Sequence, residues 1–185
     1  MRVIAGSARG TRLGAIPKGV RPVSDRAREG LFSSLESGGG VDGLLILDLF
    51  AGTGALGIEA LSRGAEHATF VDRSAASLAA IRGNLDRTHL ADSATLVREE
   101  AVSFLTRKGN PVPASIAFLD PPYDAPPGDI EGALRALARG WLVQRDWTVV
   151  LTRPKRSSNV VIPVDWAVAR RLDYGDSLVI CYREE

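Results

Sequence analysis

The sequence predicts an α/β domain built on a mostly parallel sheet, and three observations carry that prediction. Short, almost continuous apolar runs alternate with helical patterns from residue 44 to residue 151, as expected of strands buried on both faces. A glycine-rich loop containing Gly52, Gly54 and Gly57 joins the first of these runs to its helix. In the last third, apolar runs are separated by turn residues, which predicts an antiparallel closing hairpin.

In chain order, Val3 and Ile4, a Gly/Ser turn at 6–10 and residues 11–16 form a candidate hairpin with arginines at its tip and edges. It is too short to stand alone and must lean on something. After Pro17 and Pro22, Ser24 can cap a helix to about residue 35, with Ala27, Leu31, Phe32 and Leu35 on one face. Gly38, Gly39 and Gly40 end it, so a basic N-terminal extension over 1–40 and a main domain over 41–185 are expected. A strand over 44–50, interrupted by Asp48, leads to a helix over 55–63 closed by Gly64, and the next strand covers 67–71. Ser74 caps a helix to about 87, followed by a strand over 94–97 and a helix over 101–108 closed by Gly109. A strand over 115–119, a helix over 129–138 ending at Gly140 and a strand over 147–151 complete the alternation. Further strands are expected over 160–162, 166–172 and 178–183, the last two joined by Asp173, Tyr174, Gly175 and Asp176.

With 185 residues, 45% hydrophobic and 24% charged, the chain can bury one substantial core. No apolar run approaches the roughly 20 residues of a membrane span, and the basic N-terminus lacks the apolar stretch of a signal peptide. A cytoplasmic location is therefore expected. The lone Cys181 lies in an apolar run and suits a buried strand thiol better than a nucleophile. His67 and His89 form no metal-ligand spacing, so both are taken as structural and no metal is expected. The net charge of +1 conceals an asymmetry: Arg2, Arg9, Arg12, Lys18 and Arg21 give the first 21 residues +5, leaving −4 for the other 164. Cations near phosphates release condensed counterions, so this end is a candidate polyanion contact, with a solvated terminus as the plain alternative.

Gly52, Gly54 and Gly57 match G-x-G-x-x-G, and Asp72 follows Gly52 by twenty positions at the end of the next strand. The glycines permit close backbone approach to a nucleotide-type cofactor, and the acid suits two ribose hydroxyls. NAD would use the same pair. Two features favour S-adenosylmethionine: Asp48, which would repel a pyrophosphate but can reach a methionine amine, and the acidic pair Glu99 and Glu100, of which Glu100 suits an adenine amino group. Asp120, Pro121, Pro122 and Tyr123 follow an apolar strand. Two prolines cannot continue a ladder and can hold the Pro121 carbonyl outward. Together with the Asp120 carboxylate this makes two acceptors beside an aromatic ring, a set that matches an exocyclic NH2 on a planar base. A strand ended by a Pro-Pro turn is the bland alternative.

The run from Asp48 to Gly54 resembles the cofactor motif of class I methyltransferases, and Asp120-Pro121-Pro122-Tyr123 resembles the catalytic motif of those that methylate exocyclic amines. More narrowly, Arg2-Val3-Ile4-Ala5-Gly6 with Arg9-Gly10, Arg21-Pro22 and Asp25-Arg26-Ala27-Arg28-Glu29-Gly30-Leu31-Phe32 is similar to the N-terminal signature of the RsmD family. The likeness continues through Gly57-Ile58-Glu59-Ala60-Leu61-Ser62-Arg63-Gly64-Ala65 to the closing Tyr-Arg-Glu. It implies a Rossmann-like class I methyltransferase fold with a seven-stranded sheet. It also implies methylation of the N2 amine of one guanine, position 966, in 16S ribosomal RNA, naked or within an assembling or assembled small subunit. S-adenosylmethionine would be the donor and S-adenosylhomocysteine the product, with no metal and no membrane, in a monomer.

On this likeness Asp120, Pro121, Pro122 and Tyr123 are catalytic, Asp48, Phe50, Gly52, Gly54, Asp72 and Glu100 hold the cofactor, and Arg2, Arg9, Arg12, Lys18 and Arg21 meet RNA. Asp72 stands where the family more often has Glu, Val23 where Thr is expected and Glu100 where Asp is expected. Rival expectations are a DNA adenine or cytosine methylase, which shares the tetrapeptide, a non-catalytic RNA-binding module on the same fold, and an NAD-dependent oxidoreductase.

Overall fold

In the computed structural model, which describes residues 1–14, 23–107, 112–157 and 160–185, the predicted alternation forms a single mixed sheet. Helix α1 (Asp25–Glu36) precedes β1 (Leu45–Leu49). There follow α2 (Ala55–Ser62), β2 (His67–Val71), α3 (Ala75–Thr88), β3 (Ala94–Val97), α4 (Ala101–Thr106), β4 (Ile116–Leu119) and α5 (Pro127–Leu137). The chain closes with β5 (Thr148–Pro154), β6 (Trp166–Tyr174) and β7 (Ser177–Glu184). The strand order is β3-β2-β1-β4-β5-β7-β6. The first five pair in parallel, and β7 is antiparallel to both β5 and β6.

Strand alternation divides the core in two. Ile46, Phe70, Phe118 and Val150 face α1, α2 and α3, while Leu47, Leu49, Leu119, Val149 and Leu151 face α4 and α5. The local signals act as expected: Ser24 Oγ accepts from Ala27 N and Ser74 Oγ from Ser77 N, so each serine caps its helix. Because β1 sends its crossover to β2 on one side and β4 lies on the other, the order reverses between β1 and β4. Ligands of open α/β sheets bind at the carboxyl ends of strands at such a point.

Some expectations are corrected. The strand over 160–162 does not form: Val160 and Ile162 pack on the α4–α5 core, Val161 faces solvent, and Val161 N donates to Glu131 Oε1 at 3.0 Å. The in–out alternation is real, but it is laid against a helix instead of a strand. Among the described residues the N-terminal hairpin is one antiparallel bridge, Arg2 opposite Arg12, flanked by Val3 N to Thr11 O (3.0 Å) and Gly10 N to Val3 O (2.9 Å). The closing hairpin turns on Gly175 and Asp176 alone, and β5 extends to Pro154 because β7 pairs with it that far. Ile16, Pro17, Lys18, Arg21, Pro22, Lys108 and Gly109 lie outside the described residues.

The N-terminal segment is built into the first core, to which Val3, Ala8 and Leu13 contribute. Buried Glu59 of α2 accepts from Ile4 N (2.8 Å) and Ala5 N (3.0 Å), and Ser62 receives Ser7 N on its carbonyl and Ala8 N on its hydroxyl. On α1, Arg28 is 0% exposed and donates to Arg2 O and Asp25 Oδ1. Cys181 is buried on β7, where desolvation pushes its thiol up to about 11, as suits an inert strand thiol. Among the described residues no helix is long and apolar enough to cross a membrane.

Candidate active site

The glycine loop leaves β1 at Phe50, a non-glycine residue held at φ 57, and Gly52 (φ 57) and Gly54 (φ 73) continue in the left-handed region that glycine tolerates. Three side chains fix this backbone. Asp72 Oδ2 accepts from Gly52 N at 2.9 Å while its Oδ1 accepts from Ser74 N at 2.8 Å. Asp48 Oδ2 accepts from Gly57 N at 3.0 Å. Asn84 Nδ2 donates to Thr53 O at 2.9 Å.

Asp120 lies just beyond Leu119, whose partner on β1 is Leu49, so the tetrapeptide of residues 120–123 and the glycine loop begin at the same height on adjacent strands. Both line a cavity of ≈ 660 Å³, a normal size for a small-molecule site. Of the predicted residues, Asp48, Phe50, Gly52, Asp72, Glu100, Asp120, Pro121, Pro122 and Tyr123 all face it. A smaller hollow of ≈ 390 Å³, where the strands begin, contains none of them.

Among the described residues neither predicted acceptor is engaged. The Asp120 carboxylate and the Pro121 carbonyl accept no hydrogen bond from the described residues, whereas the Pro122 carbonyl accepts from Ala125 N at 2.9 Å. Asp120 is only partly open, and this enclosure pushes its carboxyl up to about 7. Burial raises Asp48 well above the ordinary carboxylate range, against the Gly57 hydrogen bond and aided by the Asp120 and Asp72 charges. Tyr123 is 38% exposed, and its hydroxyl meets Ser177 Oγ at 2.7 Å, tying the tetrapeptide to the first residue of β7.

Among the described residues seven carboxylates line the cavity against one cation, Arg73. Such a field favours a positively charged ligand and disfavours a pyrophosphate. Glu100 is also the N-cap of α4, accepting from Val102 N on one oxygen and Ser103 N on the other. Burial opposes ionisation there, but these donors prevail and hold its carboxyl below the usual value. Glu100→Ala is therefore expected to cost about 1 kcal/mol of stability through the lost cap, read as a lower urea midpoint.

Arg2, Arg9 and Arg12 are exposed and do not line the cavity. Arg9 sits in the turn docked on Ser62, the last residue of α2. The glycine loop starts α2, so about 12 Å of helix separates the two. Sequence reasoning missed Arg73, Thr53, Ser77, Asp124 and Asp129 in the cavity wall, and Asn84 and Glu59 behind it. Asn84 and Glu59 sit inside ordinary helical patterns, where nothing in the local sequence marks a buried polar group. Among the described residues no cluster of His, Cys, Asp and Glu could hold a metal ion.

Residues 1–183 match the family described as Conserved hypothetical protein 95. Ribosomal RNA small subunit methyltransferase D of Escherichia coli strain K12 is 36% identical over 188 residues, covering 100% of this chain and 90% of that protein. The putative rRNA methyltransferase YlbH of Bacillus subtilis is 33% identical over 186 residues, covering 100% of this chain and 99% of that protein. The solved structure of the putative methyltransferase yhhF from Escherichia coli is similar with a TM-score of 0.85 at 33% identity, covering 100% of this chain and 98% of that one. With a match across nearly its whole length and relatives of the same extent, the chain belongs to the RsmD family.

Proposed function

We propose that this chain transfers a methyl group from S-adenosylmethionine to the exocyclic N2 amine of a guanine in small-subunit ribosomal RNA, with guanine 966 as the target. The observation that carries the proposal is the pair of unengaged acceptors, Asp120 carboxylate and Pro121 carbonyl, facing the same cavity as the glycine loop. The name of the Escherichia coli relative supports the choice of RNA.

The residues present suit the donor. Its cationic end matches the carboxylate-rich lining, Asp48 is available to its amine, and Asp72 and Glu100 retain lone pairs for its ribose and adenine. When bound, S-adenosylmethionine supplies a methyl group on a positively charged sulfur, which leaves as a neutral thioether.

The chain's own residues handle the amine. Asp120 and the Pro121 carbonyl each accept one N–H, drawing the nitrogen toward tetrahedral geometry and freeing its lone pair from the ring. Acceptors that grip tighter as positive charge grows on nitrogen stabilise the transition state over the ground state. The nitrogen forms its bond to the methyl carbon as the carbon–sulfur bond breaks. It then sheds one proton, and an Asp120 carboxyl poised at about 7 is matched to accept it. Tyr123 stacks on the base, an interaction typically worth about 1–3 kcal/mol. A paired base hides its amine, so the guanine enters unstacked. The protein acts as a monomer.

Incubating the protein with labelled S-adenosylmethionine and unmodified small subunits or naked 16S RNA, then mapping the product by mass spectrometry, tests this. N2-methylguanosine at one position is expected; label confined to DNA, protein or another nucleoside would overturn it. Neutralising Arg9 and Arg12 together should weaken RNA binding and lower the slope of log K against log salt by about 1.4 to 1.8, with cofactor affinity unchanged. Equal loss of cofactor affinity would make these arginines structural.

A further inference from the structure

The tetrapeptide is tied to a residue 54 positions further along the chain. Tyr123 follows two prolines that dictate their own backbone, and the turn behind it is closed by Ala125 N donating to Pro122 O at 2.9 Å. The main chain there is set, so the orientation of the ring is what remains to be fixed. A tyrosine that is 38% exposed can ordinarily exchange among its staggered χ1 wells. Here the hydroxyl meets Ser177 Oγ at 2.7 Å. Ser177 is itself held on both sides, since it opens β7 opposite Pro154 of β5 and Tyr174 of β6. Beside it Lys155 N donates to Asp176 O at 2.8 Å.

The reach is specific to tyrosine. In the sheet, β5 lies between β4, which leads to the tetrapeptide, and β7, which begins at Ser177. Two strand spacings, about 10 Å, separate the outer strands, so a side chain that crosses them must carry a polar atom at its far end to find the serine. Phenylalanine would cross without a partner. Tyr123 lines the ≈ 660 Å³ cavity and Ser177 does not, so the ring is gripped by its tip from outside the space it borders.

We propose that Ser177 is a positioning residue that holds Tyr123 in the rotamer in which it stacks on the target base, so that the ring is ordered before RNA arrives. This rests on the function proposed above. A base that must find a competent rotamer binds more weakly in proportion to that rotamer's population. Once stacked, the base itself holds the ring, and transfer proceeds at the wild-type rate. Loss of the anchor therefore appears in KM for RNA and not in kcat. An ordinary hydrogen bond corresponds to a factor of about two to ten.

The test is steady-state methyl transfer, with S-adenosylmethionine saturating, to unmodified small subunits or naked 16S RNA, whichever the wild type methylates. Ser177→Ala should raise KM for RNA about two- to tenfold, with kcat unchanged and calorimetric affinity for S-adenosylhomocysteine unchanged. Tyr123→Phe keeps the ring and loses the same bond, so it should raise KM by a similar factor, and the double variant should be no worse than either single one. Ser177→Thr retains a hydroxyl and should keep KM near the wild-type value. An unchanged KM in Ser177→Ala, additive losses in the double variant, or a Ser177→Thr protein as impaired as Ser177→Ala would each overturn the positioning role while methyl transfer by the wild type stands. A wild type that binds S-adenosylhomocysteine but methylates no RNA would remove the proposed function and this role with it.

Discussion

Asp120→Asn should abolish methyl transfer and, at the same time, make the folded protein more stable above pH 7. The substitution keeps the shape of the side chain but replaces half of an acceptor with an NH2 that points a donor at the substrate amine. Removing one preorganised group that stabilises a transition state typically costs about 10²–10³-fold in kcat, and here the replacement is also repulsive. Binding of S-adenosylhomocysteine should change little, since the glycine loop is held by Asp48, Asp72 and Asn84. The stability gain follows from the raised carboxyl. A group that moves from 3.8 in the unfolded chain to about 7 in the fold holds its proton more tightly when folded. Its stabilising contribution is complete below about pH 4 and is lost as pH rises through about 7. The full loss is at most about 4 kcal/mol, and Asn does not incur it. Urea midpoints of wild type and variant should therefore converge below about pH 4 and separate progressively up to pH 8. In the wild type, kcat/KM should climb with pH to a plateau above about 7, as the free enzyme ionises Asp120. Appreciable turnover by the variant, or a stability difference that ignores pH, would remove Asp120 from the role proposed for it.

Much of this was legible because the relevant signals are local. The strand–glycine loop–helix junction, the Ser24 and Ser74 caps and the apolar runs of β1, β2 and β4 depend on neighbours a few residues away, and their limits shift by one or two positions at most. The tetrapeptide was legible for the same reason, since two prolines dictate their own backbone. What escaped depends on contacts across long sequence separation. Glu59 reads as one more polar position on a helix, yet it is the anchor for Ile4 and Ala5, 55 and 54 residues away. Asn84 joins Gly14 and Thr53, at separations of 70 and 31. The false strand over 160–162 has the opposite cause: its period of two is correct, but periodicity says which side is buried and not whether a strand or a helix buries it. Glu100 was expected to face adenine, and it does line the cavity, but its fixed partners are the first amides of its own helix.

Gly57→Ala should destabilise the fold by about 2 kcal/mol even though alanine is the better helix former. Gly57 is the third glycine of the loop motif and lies within α2 with an ordinary helical backbone, so conformational freedom does not explain it. Proximity does. A Cβ at this position would stand 2.3 Å from Cε1 and 2.7 Å from Cζ of Phe70, and 3.1 Å from Asp48 Oδ2. Phe70, the fourth of five residues in β2, is wholly buried, so the ring has nowhere to retreat. Alanine would bring about 1 kcal/mol of helix propensity, while overpacking a closed core costs about 1–3 kcal/mol and occasionally more; a contact this short belongs at the upper end. Relief must come from α2 lifting off the sheet. That movement stretches the Gly57 N to Asp48 bond and shifts the glycine loop, which Gly54 joins to α2 as its N-cap; Gly54 itself does not line the cavity. Cofactor affinity should fall alongside stability. Shortening the neighbour isolates the cause, because Phe70→Leu removes the ring atoms that the new methyl would strike. Urea midpoints of the two single variants and the double variant form a closed cycle. The double variant should lose at least about 1 kcal/mol less than the sum of the singles, with cofactor binding partly restored. Simple additivity would mean that the motif's third glycine is required by something other than the close passage of α2 over Phe70.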